Sequence, residues 1–238
     1  MTTMQTWTAV AHRGDPYRFR ENTLASLRSA LDRGADAVEV DVRLTRDGVP
    51  VLLHDDTLKR LWEVDRPLSA LTAAQVTELT EGGIPTLAKA LAATEGTRVM
   101  ADLCGGVTRR VADRVLDVVR QSGAEDRVYY SAGAQSLLTL RAAAPTAELA
   151  LSWTTTARPR PALLTALRPH YLNYRFSLVG HDLATWVHKE GYLLSAWTPD
   201  TGRSMRKLLA LGADSITTNR IDTLTALRKA GGAGAPLS

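Results

Sequence analysis

Cysteine occurs once in this 238-residue chain, phenylalanine twice, and lysine supplies only five of the 29 basic side chains. With Cys104 alone, no internal disulfide can form, and the fold must hold by packing. No apolar run approaches the roughly 20 residues that cross a bilayer, so stable membrane insertion is not expected. The opening "MTTMQTWTAV" lacks a basic start followed by a long apolar segment, so a secretory leader is not expected and the predicted location is cytoplasmic. No strand pattern runs into a glycine-rich dinucleotide fingerprint. A basic run is missing too: the net charge of +4 and the pI of 9.4 come from arginines spread over polar helix faces, as in "TRRVADRVLDVVRQSG". A solvated surface is the ordinary meaning of such scatter, and no nucleic-acid partner is expected. No motif fixes an oligomeric state.

What is present is an alternation. Eight short apolar segments read as strands: "TAVAHR", "ADAVEVDVRL", "TRVMADLC", "DRVYYSA", "AELALSW", "HYLNYRF", "YLLSAWT" and "ADSITTN". Between them lie amphipathic helices such as "TLASLRSALDRG" and "GRSMRKLLALG", several closing on the glycine expected just past a helix end. Repeated strand and helix pairs imply parallel strands, and eight of them in this length predict an α/β fold, a (β/α)8 TIM barrel formed by one domain over 1–238. A doubly wound open sheet is the alternative. The rhythm breaks once, over 46–96, where "RDG" and "VPVLLHD" predict a tight turn and an extra strand, and "IPTLAKALAATEG" the helix that restores the alternation. An excursion after a barrel strand belongs to the face where such barrels build their active sites. The tail over 231–238 reads as flexible.

The same face collects polar residues. His12 and Arg13 end the first strand, Glu39 and Asp41 lie two apart on the second, His54 ends the inserted strand, and Asp102 lies on the third barrel strand. Trp197 ends the seventh and Asn219 the eighth. Alternate strand residues share a face, so Glu39 and Asp41 both point inward while Val38 and Val40 pack outward. Two inward carboxylates repel each other, and a divalent cation compensates them. With Asp102 as a third oxygen ligand the set suits Mg2+, with Ca2+ the alternative, rather than zinc. Taken singly, each residue has an ordinary meaning: a carboxylate can pair with one of the many arginines, and a strand-end histidine can be structural. Their combination on one barrel mouth favours a site.

"AHRG", "ENT", "GADAVEVDVRLTRDGVPVLLHDDTL", "IPTL", "AWTPD" and "GADSITTN" resemble, in this order, the glycerophosphodiester phosphodiesterase family. The resemblance implies a barrel enzyme that cleaves small-molecule phosphodiesters with one divalent cation. It makes His12 and His54 an acid–base pair, Glu39, Asp41 and Asp102 metal ligands, Arg13 a phosphate ligand and Trp197 a pocket wall. Gly14 would give the phosphate room to approach the backbone, while Glu21 and Asn22 hold the loop and cap the following helix.

The departures matter as well. Most family members carry Glu-x-Lys on the third strand, where this chain has Asp102, Leu103 and Cys104. The missing ammonium would neutralise charge on phosphate, and Arg175, near the end of the sixth strand, is the candidate replacement. Asp102 and the closing "TTN" are similar to the sphingomyelinase D-like phospholipases, in which an asparagine at the place of Asn219 faces the site. Likeness to bacterial phosphatidylinositol phospholipases suggests His12 as base and His54 as acid. Three functions stay open on these residues: hydrolysis of glycerophosphodiesters to glycerol 3-phosphate or an analogue, a cyclising phospholyase or an enzyme of specialised substrate, and an inactive binding barrel.

Overall fold

The computed structural model describes residues 7–232. Eight parallel strands close into a ring: β1 (Thr8–His12), β2 (Ala37–Leu44), β4 (Arg98–Leu103), β5 (Val128–Ala132), β6 (Leu149–Trp153), β7 (Tyr171–Arg175), β8 (Leu193–Trp197) and β9 (Ser215–Thr218), with β1 pairing both β9 and β2. The ninth, β3 (Pro50–Leu52), lies outside the ring, antiparallel on the end of β2 with Val42 opposite Leu52. The predicted TIM barrel is therefore the fold, and the open-sheet alternative is excluded by the β1–β2 pairing.

Period-two alternation sorts the strands. Outward residues such as Ala9, Val38, Val40, Leu151 and Leu172 join the core against the helices, led by α1 (Leu24–Asp32), α4 (Leu87–Ala93), α5 (Arg109–Gln121) and α6 (Ala134–Ala143). Inward residues at the base of the ring, Val10, Ala37, Met100, Tyr129, Ala150 and Tyr171, pack into an apolar plug. The layer above is polar, so the barrel is sealed from below and opens at the strand C-termini, as expected for this fold.

Helix ends follow local chemistry. Thr23, Thr86 and Thr108 each accept a backbone N–H at the start of α1, α4 and α5. Gly34 and Gly123, at φ +83 and +58, carry the chain out of α1 and α5. Between α6 and β9 run α7 (Pro161–Leu167), α8 (His181–Lys189) and α9 (Gly202–Ala210), and α10 (Ile221–Gly232) follows the last strand. The tail predicted from 231 thus starts inside α10, and its remainder lies outside the described residues. Among the described residues no helix is long and apolar enough to cross a membrane.

The insertion between β2 and β4 has its own small core of Val51, Leu53, Leu58, Leu68, Leu71, Val76 and Ile84, built on β3, α2 (Lys59–Trp62) and α3 (Ala73–Leu79). Leu87, Ala90 and Leu91 of α4 instead join the barrel core. The insertion is fastened to the barrel mouth where the Leu53 N–H donates to Asp41 O at 3.0 Å. That bond delivers the next residue, His54, to the strand ends.

Candidate active site

Strand register decides which inward side chains meet. His12 lies beside Glu39, Asp41 beside Asp102, and Asp102 beside Ser131. These residues, with Arg13, Arg43, His54, Cys104, Ser152, Asn173, Trp197 and Thr217, line a cavity of about 500 Å³ at the open end of the barrel.

His12 is held from behind. Its Nδ1 lies 2.7 Å from Asn219 Oδ1, while Asn219 donates from Nδ2 to Asp200 Oδ2 at 2.8 Å and from its backbone N–H to Asp200 Oδ1 at 2.9 Å. Because Asp200 accepts only, the amide nitrogen must face it and the amide oxygen must face the histidine. An amide oxygen also only accepts, so Nδ1 of His12 carries the proton and Nε2 keeps its lone pair. Burial, and then the charge of Arg13, hold the His12 pKa below its ordinary value. The ring is therefore a neutral acceptor, with Nε2 3.9 Å from Glu39 Oε2.

The carboxylates form a second group. Asp41 Oδ2 accepts from Asn22 Nδ2 at 2.7 Å and lies 2.9 Å from Arg13 Nε, a charge contact without the alignment of a hydrogen bond. Its Oδ1 accepts from the Cys104 thiol at 3.1 Å. Burial, then the charge of Asp41, push the Asp102 pKa up to about 6. Burial followed by Asp41 and Asp102 raise Glu39 well above the carboxylate range, and burial and the same neighbours push the Cys104 thiol up. Such mutual repulsion is what a cation relieves. Among the described residues the potential ligand atoms that lie within 4.8 Å of one another belong to Asp41, Asp102 and Cys104. Register explains why Glu39 is outside this trio. Its neighbour on β4 is Met100, one layer below Asp102, and its Oε2 accepts the Arg13 backbone N–H at 2.9 Å.

His54 is held differently. Its Nδ1 lies 2.7 Å from Asp55 Oδ1, and its carbonyl accepts from Arg43 Nε at 2.8 Å. Asp55 is gripped by Arg60, whose hydrogen bond, aided by His54, lowers its pKa to about 2. Arg60 also donates to Glu21 at 2.6 Å, and Glu21 accepts from Arg13 at 2.9 Å. A chain of ion pairs therefore runs from the insertion back to the first barrel loop.

A model of the glycerophosphoryl diester phosphodiesterase family matches residues 12–223. This chain belongs to that family. A glycerophosphodiester phosphodiesterase of Caldanaerobacter subterraneus is 27% identical over 94% of this chain and 98% of its own length. One from Bacillus altitudinis is 26% identical over 92% and 97%. Among solved structures, an Oleispira antarctica phosphodiesterase in complex with sn-glycerol-3-phosphate superposes with a TM-score of 0.86 at 24% identity, covering 93% of this chain and 96% of that one. Glycerophosphodiester phosphodiesterases are phosphoric diester hydrolases, and a divalent cation is general to them. The donor set here fits one: three acidic side chains and a thiol face one cavity, and Asp102 has no Arg, Lys or His at ion-pair distance among the described residues.

Seven residues singled out from the sequence, His12, Arg13, Glu39, Asp41, His54, Asp102 and Trp197, line the cavity. Four expectations change. Arg175 ends β7 exposed, directly before a 3-10 turn (Phe176–Leu178), and is not among the lining residues. The second lining arginine is Arg43, which the same alternation that selected Glu39 and Asp41 places on their face. Asn219 is not a wall of the cavity; it stands behind His12. Asn22 does not cap α1, which Thr23 does; instead Asn22 and Arg13, at φ 57 and 58, hold Asp41. Gly14, at φ +88, makes room for the chain itself, since a Cβ there would lie 2.6 Å from Ser26 C. Asp200 and Cys104 went without a site role in the sequence reading, although "AWTPD" contains the first. Ser131, Ser152, Asn173 and Thr217 carried no signal beyond being inward positions of apolar strands.

Proposed function

We propose that this chain hydrolyses glycerophosphodiesters to glycerol 3-phosphate, or an analogue, and an alcohol, in a metal-dependent reaction run by His12 and His54. The observation that carries this reading is the meeting of both histidines and three acidic side chains in one cavity of a family barrel. The relative solved with sn-glycerol-3-phosphate supports the product class.

Asp41 and Asp102, with Glu39 one layer below, would hold the divalent cation, which would supply positive charge for the phosphate oxygens. Arg13 and Arg43 add charge from the protein side. His12 Nε2 takes the proton of the glycerol hydroxyl next to the phosphate, that oxygen bonds to phosphorus, and the bond to the alcohol breaks. His54 protonates the departing alkoxide; its half-exposed ring at the mouth suits a leaving group that exits to solvent. Water then opens the cyclic phosphate with the roles reversed, so both rings return to their starting states. Asn173 Oδ1 and Thr217 Oγ1, buried without a partner among the described residues, accept from or donate to glycerol hydroxyls, and Trp197 forms the wall.

A phosphorus NMR time course on glycerophosphocholine tests this, with added Mg2+ and with chelator. The expected result is metal-dependent growth of a phosphomonoester. A cyclic phosphate that persists would replace the hydrolase by a lyase, and no turnover of any glycerophosphodiester would overturn the reading.

A further inference from the structure

The cavity contains one donor that is neither oxygen nor nitrogen. Resting on the reading of this cavity as a divalent-cation site, we propose that Cys104 ligates that cation, so that the site takes a thiophilic ion of the Zn2+ or Co2+ kind ahead of Mg2+.

Position comes first. Cys104 follows β4 two residues after Asp102, so alternation returns it to the same inward face one step nearer the mouth. Its Sγ lies 3.1 Å from Asp41 Oδ1 and 3.9 Å from Asp102 Oδ2, and these ligand atoms fall within a 4.8 Å span, about twice a metal–ligand bond of roughly 2.0–2.3 Å. Partnership narrows the choice further. Asp41 Oδ2 is engaged by Asn22 and Arg13, and Glu39 by the Arg13 backbone, whereas Asp41 Oδ1 and Asp102 turn toward the sulfur. Asp102 has no ion-pair partner among the described residues, so the free negative charge and the sulfur share one spot.

Ligand type then sets preference. Carboxylates alone suit Mg2+ or Ca2+, while a thiolate shifts selection toward zinc-like ions, which bind sulfur far better than Mg2+ does. On ligation the S–H bond breaks, the sulfur–metal bond forms and the thiol proton leaves to solvent.

The test is Co2+ titration of the metal-free full-length protein, followed by absorbance and by equilibrium dialysis. Cys104 is the only cysteine, so a near-ultraviolet sulfur-to-cobalt charge-transfer band can come from no other thiolate. The expected result is stoichiometric Co2+ binding with that band. In Cys104→Ser and Cys104→Ala the band should vanish and Zn2+ affinity fall at least about tenfold, the loss typical of even an outer partner of a metal site. Mg2+ affinity should change much less. Co2+ bound without the band overturns the cysteine assignment and leaves the metal site standing. No bound Co2+, Zn2+ or Mg2+ by dialysis overturns the metal site and this inference with it.

Discussion

His12 stands on a strand of a closed ring, paired on both sides, with a side chain 18% exposed and a neutral amide behind it. His54 follows a three-residue strand outside the ring, is 45% exposed, and is held by Asp55 and Arg60. One barrel face thus builds two histidine sites by different physics. The buried site fixes a neutral tautomer by steric and hydrogen-bond logic; the peripheral one relies on charges in partial contact with water. The difference supports the proposed division of roles: an unprotonated acceptor deep in the cavity, and a proton donor where the alcohol leaves.

The largest effects should come from the histidines themselves. His12→Ala and His54→Ala should each lower kcat by about 10²–10⁴-fold, the usual contribution of general acid–base catalysis, with little change in Tm. Full activity in both variants would remove the acid–base assignment. Next comes the support of His12. Asp200→Ala frees the Asn219 amide to turn its nitrogen toward the ring, which disfavours the required tautomer. A kcat loss of up to about 10²-fold with a nearly constant KM is expected, the order seen when a reacting group is slightly misplaced. Asn219→Ala has a signed effect on pH dependence. The Asn219 hydrogen bond raises the His12 pKa against burial, so its loss should move the acid limb of kcat/KM to lower pH.

Smaller effects belong to the insertion. Arg60→Ala unclamps Asp55 and Glu21, and a stability loss of about 1 kcal/mol is expected because the Arg60 guanidinium itself is half exposed. The activity loss should be smaller than for either histidine and should mimic high salt, which screens the same contacts. Acid is the mildest probe. Asp55 has its folded pKa lowered from 3.8 to about 2, so its stabilisation is complete above the unfolded value and is lost as pH falls toward the folded one. Denaturant midpoints measured from pH 5 down to 2 should show a step that Arg60→Ala reduces.

The barrel was legible because parallel strands buried on both faces write their alternation into apolar runs, and "EVD" exposes the inward phase directly. The same phase contains Arg43, but an arginine among 24 carries no signal until register shows which layer it joins, and Cys104 was legible only as a missing lysine. Asn219 and Asp200 illustrate another limit. A residue two steps removed from the cavity acts through hydrogen bonds between chain segments far apart in sequence, and no local spacing encodes that. Arg175 misled for a related reason: its phase is inward, yet the strand ends there and the residue is exposed.

The unequal roles of the two histidines are tested most directly by changing the leaving group. A glycerol phosphodiester of 4-nitrophenol needs no proton at departure, because its phenolate is already a stable anion. The account predicts that this substrate restores most of the turnover lost in His54→Ala and little of that lost in His12→Ala. Rescue of His12→Ala instead, or equal rescue of both, would contradict it.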